Sequence, residues 1–314
     1  MLALKHPITC LALSALATFS WAQADDISER DRRYLNPVFE KTERHGDIEF
    51  ARVFNDSSGE TEILAMRIFE PVGDDARLRP LLVLTPGGGF VATGDDWMDD
   101  VAHQIAQAGY VVALNQYRLA TSIEGPDLYF DALLKSVADQ KSAIAHLVDQ
   151  AKASNPYRID LNNVFIGGHS AGAIISMHTG YLDPGDALLP GMAEPIAKFG
   201  GLGQLDSDVT VRGIINLAGL VTDVTILDAS EPPLLSIHGD NDATVPLHTG
   251  EGVYGSVPLD TYANSIGVDS VLHVIEGAKH IDTSTPAICE ECVPMMKRFM
   301  FNRLDLAKPT PATP

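Results

Sequence analysis

The chain has 314 residues, a formal net charge of −20, and ordinary globular proportions, 45% apolar and 20% charged. That length allows one large α/β domain with a substantial buried core. The acidic balance repels nucleic acid and anionic membranes, so neither is an expected partner.

In chain order, the first segment reads as an export leader. Lys5 and His6 precede an apolar run from Ile8 to Trp21, which is too short to span a bilayer comfortably. Ala22-Gln23-Ala24 then gives an A-x-A cleavage pattern. Residues 1–24 are therefore expected to be a signal peptide, cleaved after Ala24, which sends the mature chain to the periplasm or the medium with no membrane insertion afterwards. Residues 25–47 are polar with a few aromatics and read as a helical or irregular lead-in. Ile48–Phe54 and Ile63–Phe69 alternate as an antiparallel pair around a turn at Asn55–Gly59.

From there, short apolar runs alternate with helical stretches. The runs are Leu81–Leu84, Val111–Leu114, Val164–Gly167, Ile214–Leu217, Leu234–Ile237 and Val271–Ile275. Continuous apolar strands separated by helices indicate a mostly parallel sheet covered on both faces. Leu128–Ala153 is the clearest helix, with Leu133, Val137, Ile144 and Leu147 at three- and four-residue steps and Asn155-Pro156 as its stop. The Gly-, Pro- and Leu-rich segment 181–208 fits neither period and reads as an excursion above the sheet. Cys289 and Cys292 form a C-x-x-C pair without the further ligands a zinc site needs, so a small disulfide is expected in an oxidising compartment. Residues 308–314 read as a frayed tail to a domain that covers 25–307.

The chemistry starts where Val164–Gly167 runs into Gly168-His169-Ser170-Ala171-Gly172 and then a helix from about Ala173. This is G-x-S-x-G between a strand and a helix, a sharp turn that lifts a serine hydroxyl out of the backbone. The glycines let strand and helix approach each other closely. Ser170 needs a base and an acid to orient it. His280 follows the last strand in Gly277-Ala278-Lys279-His280, where a loop can fold back over the sheet. Asp240 and Asp242 both sit in the loop after Leu234–Ile237, and either could instead hydrogen-bond its own turn. His169 adjoins the serine but points elsewhere, His273 lies inside a strand and reads as packed, and His238 reads as shaping the acid loop. Thr85-Pro86-Gly87-Gly88-Gly89-Phe90 follows a strand and presents bare backbone amides. Gly88, Gly89 and Ala171 are the expected oxyanion donors, each worth about 3–4 kcal/mol. The glycine run lacks both the P-loop ending and the G-x-G-x-x-G spacing, so nucleotide binding is not expected.

Four segments carry a family resemblance: Gly87-Gly88-Gly89-Phe90, Tyr117-Arg118-Leu119, Gly168-His169-Ser170-Ala171-Gly172, and His238 to Pro246 ahead of His280. Together they resemble the α/β-hydrolase carboxylesterases, close to the hormone-sensitive-lipase-like and feruloyl- or acetylxylan-esterase-like groups. The resemblance implies a mostly parallel central sheet of about eight strands flanked by helices, with 181–208 as a small lid. It implies a triad of Ser170, Asp242 and His280, since the family's acid falls on Asp242. Pro86 stands where the family usually has histidine in its first glycine loop. The expected activity is hydrolysis of carboxylic esters with short acyl groups or carried on a larger molecule, through an acyl-enzyme and with no cofactor or metal. The alternatives are a serine peptidase of the same fold and a non-catalytic binding module that kept it.

Overall fold

The computed structural model describes residues 33–93, 96–199, 205–250, 252–283 and 289–305. The expected leader over 1–24 and tail over 308–314 lie outside them.

Eight strands form one sheet. The first two, β1 (Thr42–Asn55) and β2 (Glu60–Pro71), are long and antiparallel. The next five are β3 (Arg79–Thr85), β4 (Val111–Asn115), β5 (Ile159–His169), β6 (Val211–Leu217) and β7 (Leu234–Gly239). A two-residue pair, β8 (Thr249–Gly250) and β9 (Val253–Tyr254), makes a separate hairpin, and β10 (Ser270–Ile275) closes the main sheet. The spatial order is β1-β2-β4-β3-β5-β6-β7-β10. Only β1/β2 and β2/β4 run antiparallel; from β4 to β10 the sheet is parallel.

Alternate side chains of the parallel strands β3 to β7 enter different cores. Along β3, Leu81 and Val83 face one apolar cluster while Leu82 and Leu84 face the other. That two-sided burial is why the parallel strands read as unbroken apolar runs. The first cluster is covered by α2 (Pro126–Ala153) and α3 (Ala171–Tyr181), with α5 (Ser256–Ile266) beside them. The second is covered by α1 (Asp99–Ala106) and α6 (Cys292–Phe301). Pro126 opens α2, where its missing N–H costs nothing, and Asn155 with φ +44 turns the chain out of it.

Two expectations need correction. The lead-in to residue 47 is strand from Thr42 onward, because Thr42–His45 pairs with Ile68–Pro71. Register shifts at His45/Ile48 and Glu49/Ala51 break the period-two alternation that would have marked it. His273 is half-exposed on the edge strand β10, not packed, and faces Glu291 at 3.0 Å. An edge strand has no neighbour to bury its outer side.

Segment 181–208 carries a short helix, α4 (Ala193–Lys198), and packs on α2: Lys198 Nζ lies 2.6 Å from Asp131, and Gly191 with φ +94 backs onto Phe130. Cys289 and Cys292 are disulfide-bonded, as expected, at the entrance to α6. No helix among the described residues is long and apolar enough to cross a membrane.

Burial lifts the Glu231 carboxyl to about 8; a hydrogen bond from the Asp228 N–H opposes this, and Asp183, Asp228 and Asp186 reinforce it. A carboxyl raised on folding binds its proton more tightly folded than unfolded. Its penalty therefore grows as pH rises from the ordinary carboxylate range toward 8, and the fold loses stability across that window. Glu231→Gln is expected to raise Tm relative to the parent at pH 8–9 and to leave it nearly unchanged at pH 4. A thermal melt series over pH, recorded on both proteins, checks this.

Candidate active site

Ser170 sits where β5 turns into α3, with φ +54 and ψ −123. A non-glycine residue in this region carries strain of about 1–3 kcal/mol, which the surrounding packing must hold in place. Both glycines of the turn meet backbone where a side chain would be. A Cβ on Gly172 would lie 1.9 Å from the Thr85 carbonyl oxygen, and one on Gly168 would lie 2.4 Å from that same oxygen. Helix α3 thus starts directly against the end of β3. The Ser170 N–H is fixed by the Leu217 carbonyl at 2.8 Å, and its side chain does not cap the helix.

The Ser170 hydroxyl instead meets His280, Oγ to Nε2, at 2.7 Å. On the other side of the ring, His280 Nδ1 lies 2.7 Å from Asp242 Oδ2. The carboxylate accepts only, so Nδ1 carries the hydrogen and Nε2 is left to accept from the serine. Asp242 Oδ1 takes the N–H groups of Thr244 and Val245 at 2.8 and 2.9 Å. Burial works against the charge of Asp242, but the Val245 amide, the His280 ring and the Thr244 amide outweigh it and hold the carboxyl below its ordinary pKa. The rival Asp240 is occupied elsewhere, accepting the Gly277 N–H at 2.6 Å. His238 shapes the acid loop: its Nε2–H donates to the Val245 carbonyl and its Nδ1 accepts from the Ser256 hydroxyl, while burial lowers its pKa.

The glycine loop lies beside the serine. A Cβ on Gly87 would sit 3.1 Å from Ser170 Cβ, and one on Gly88, whose φ is +131, would sit 2.0 Å from the Ala92 carbonyl oxygen. Among the described residues, no backbone carbonyl takes the amides of Gly88 or Gly89. Ala171 opens α3, so its amide has no intrahelical partner. Pro86, in the position the resemblance gives to histidine, does not displace the loop from the serine.

Two positioning features escape a reading of sequence alone. His169 is buried, and its Nε2–H donates to the His280 carbonyl at 3.0 Å. Burial pushes it down to about 4, against the help of that hydrogen bond, so it stays neutral near pH 7. Its neighbour position in the sequence gives no hint of this contact with the base's backbone. The second feature is a polar knot under the glycine loop. Gln140 of α2 donates to the Thr85 hydroxyl and to Ser176 of α3, and Thr85 donates to Asn115. The knot ties the ends of β3 and β4 to the helix that follows Ser170. From the second matching segment, Arg118 pairs with Asp139 at 2.7 Å and the Tyr117 hydroxyl reaches the Gly87 carbonyl at 3.4 Å.

Two cavities exceed 500 Å³ among the described residues. One of about 540 Å³ lies beyond His280 among Glu276, Asp282, Glu290 and Glu291. The other, of about 520 Å³, is mostly apolar and lies between the start of α2 and segment 181–208. Among the described residues one cluster has the donors for a metal ion, Glu43, His45 and Glu70 on β1 and β2. Glu70 there is already engaged by the buried Arg79 and by His45.

The BD-FAE family matches residues 66–220, just under half of the chain, from β2 past the serine turn. Among solved structures, the chain is similar to an esterase from the Planctomycetes species Thermogutta terrifontis. The propionate-bound form is 18% identical with a TM-score of 0.62, covering 84% of this chain and 96% of that one. The butyrate-bound form gives 18% and 0.63, covering 85% and 96%. The form phosphoramylated by tabun gives 18% and 0.62, covering 86% and 97%. An eight-stranded sheet in this order, with the serine on its strand-to-helix turn, has the α/β-hydrolase fold of these esterase structures, and over residues 66–220 the chain is similar to the BD-FAE family.

Proposed function

We propose that the chain is an exported serine esterase that cleaves carboxylic esters through an acyl-enzyme on Ser170. One observation carries the reading: a single hydrogen-bonded line from Asp242 through His280 to the Ser170 hydroxyl, with glycine amides alongside that no described backbone carbonyl takes. His280 takes the serine proton as Oγ attacks the ester carbonyl, and returns it to the departing alkoxide as the carbonyl re-forms. Asp242 stays ionised and steadies the imidazolium. The amides of Gly88, Gly89 and Ala171 receive the negative oxygen of the tetrahedral intermediate. Water, deprotonated by His280, then releases the acid and frees the serine. The similar Thermogutta esterase has been captured with propionate and with butyrate, which supports short acyl groups as the first substrates to try. The leader-like N-terminus and the bonded Cys289–Cys292 pair support export.

A fluorophosphonate probe is expected to label the wild-type protein, and Ser170→Ala to abolish labelling together with p-nitrophenyl acetate turnover. Wild-type protein that neither labels nor turns over the ester refutes the reading in favour of a binding module. Faster cleavage of aminoacyl-anilides than of the acetate points to a peptidase instead.

A further inference from the structure

The cavity of about 520 Å³ has walls made by the chain that leaves the carboxyl ends of β4, β6 and β7. Ile123 and Tyr129 come from the stretch that follows β4, Thr222 from the loop after β6, and Tyr254 from the hairpin after β7. Leu189 and Pro190 of segment 181–208 close the remaining side. Its size falls within the range of small-molecule sites, about 300–1,000 Å³.

Two contacts link it to the elements that carry the serine. Gly87 abuts Ser170, and three residues further along the same loop the Phe90 ring stands edge-on to Tyr129, centroids 5.8 Å apart. Thr222 meets His178 of α3, the helix that Ser170 opens: its hydroxyl lies 3.0 Å from Nε2. His178 has its Nδ1–H on the Ile174 carbonyl, so Nε2 accepts from Thr222, and burial keeps the ring neutral by lowering it to about 4. Val221 and Tyr254 are joined by a pair of backbone hydrogen bonds of 2.9 Å each. The cavity therefore lies on the α2 side of the sheet at its strand carboxyl ends, the edge that also carries Ser170 and the usual place of ligand sites in parallel sheets.

Its chemistry is one-sided. The lining is aromatic and aliphatic, and none of the described residues in it is lysine or arginine. Asp223 is the one charged residue there; its Oδ1 holds the Thr225 N–H and hydroxyl. A carboxylate brought into this space loses hydration, finds no cation and faces a like charge.

Resting on the esterase reading above, we infer that this cavity holds an uncharged apolar arm of the ester and that Asp223 turns away arms that end in a carboxylate. Each methylene buried there raises kcat/KM about fourfold, equivalent to ~0.8 kcal/mol.

The test compares p-nitrophenyl acetate, butyrate and hexanoate with p-nitrophenyl hemiadipate, which matches the hexanoate in length but ends in a carboxylate. A parallel series of ethyl to hexyl acetates distinguishes an acyl arm from an alcohol arm. Wild type is expected to favour longer neutral arms in one of the two series and to reject the hemiadipate at least tenfold. Leu189→Trp, which fills the cavity from a half-exposed position, is expected to cut the hexyl-to-ethyl or hexanoate-to-acetate preference at least tenfold. Asp223→Asn, which can still accept from Thr225, is expected to narrow the gap between hexanoate and hemiadipate. Brisk acetate turnover with no length dependence in either series, unchanged in Leu189→Trp, overturns the cavity assignment alone. A gap to hemiadipate that survives in Asp223→Asn overturns the role of Asp223. No turnover of any ester overturns the esterase reading and this one with it.

Discussion

Exchanging Asp242 for asparagine is expected to lower kcat on p-nitrophenyl acetate by about four orders of magnitude with the fold intact. The backbone decides which end of the new amide faces the base. The N–H groups of Thr244 and Val245 both point at Oδ1, so an asparagine keeps its carbonyl oxygen there and turns its NH₂ toward His280. An NH₂ donates, so the ring must accept at Nδ1 and carry its hydrogen on Nε2, the atom that has to take the serine proton. The base is then in the wrong tautomer. Asp240→Asn is the control, because among the described residues that side chain serves the Gly277 amide and not His280, and its expected loss is under tenfold. Steady-state kinetics and circular dichroism on the two variants and the parent check the pair. Equal losses in both refute Asp242 as the orienting acid.

Gly172→Ala is expected to be among the most damaging additions of a single methyl group to this fold. The new Cβ would lie 1.9 Å from the Thr85 carbonyl oxygen and 2.7 Å from that of Pro86. Both are backbone atoms at the end of a buried central strand, so neither can rotate away. Relief requires α3 to move off β3, which unseats Ser170 and tears Ser176 from Gln140. A loss of at least about 4 kcal/mol follows, near the upper end for point substitutions, with little soluble protein and no fluorophosphonate labelling. Gly185→Ala, where nothing lies within 4 Å and φ is not positive, is expected to change stability by no more than about 0.5 kcal/mol. Urea denaturation of the soluble fractions gives the comparison.

The parallel part of the sheet was legible because burial on both faces leaves a continuous apolar signature, as in Leu81–Leu84 and Ile214–Leu217. Ser170, Asp242 and His280 were legible because each lies in a loop at a strand's carboxyl end, and such loops all emerge at the same edge of a parallel sheet. The start of β1 was hidden by its two register shifts, and the exposure of His273 by its place on an edge strand, which a pattern of types cannot show. Gln140 reads as one more polar residue on a long helix. Its partner Thr85 is 55 positions away, and only the packed fold brings the two together at 2.6 Å. The hydrogen bond from His169 to the His280 backbone spans 111 positions and is beyond local inference for the same reason.

The serine that opens α3 leaves that helix without a side-chain cap, since its oxygen is committed to the imidazole. The first turn of α3 is thus short of an acceptor that an ordinary Ser N-cap would provide, at a standing cost of about 1 kcal/mol. A cap would have served the second or third amide of that turn, and on the proposed mechanism the intermediate's oxygen meets the first, that of Ala171. The start of α3 therefore gives up helix stability so that its opening residue can react.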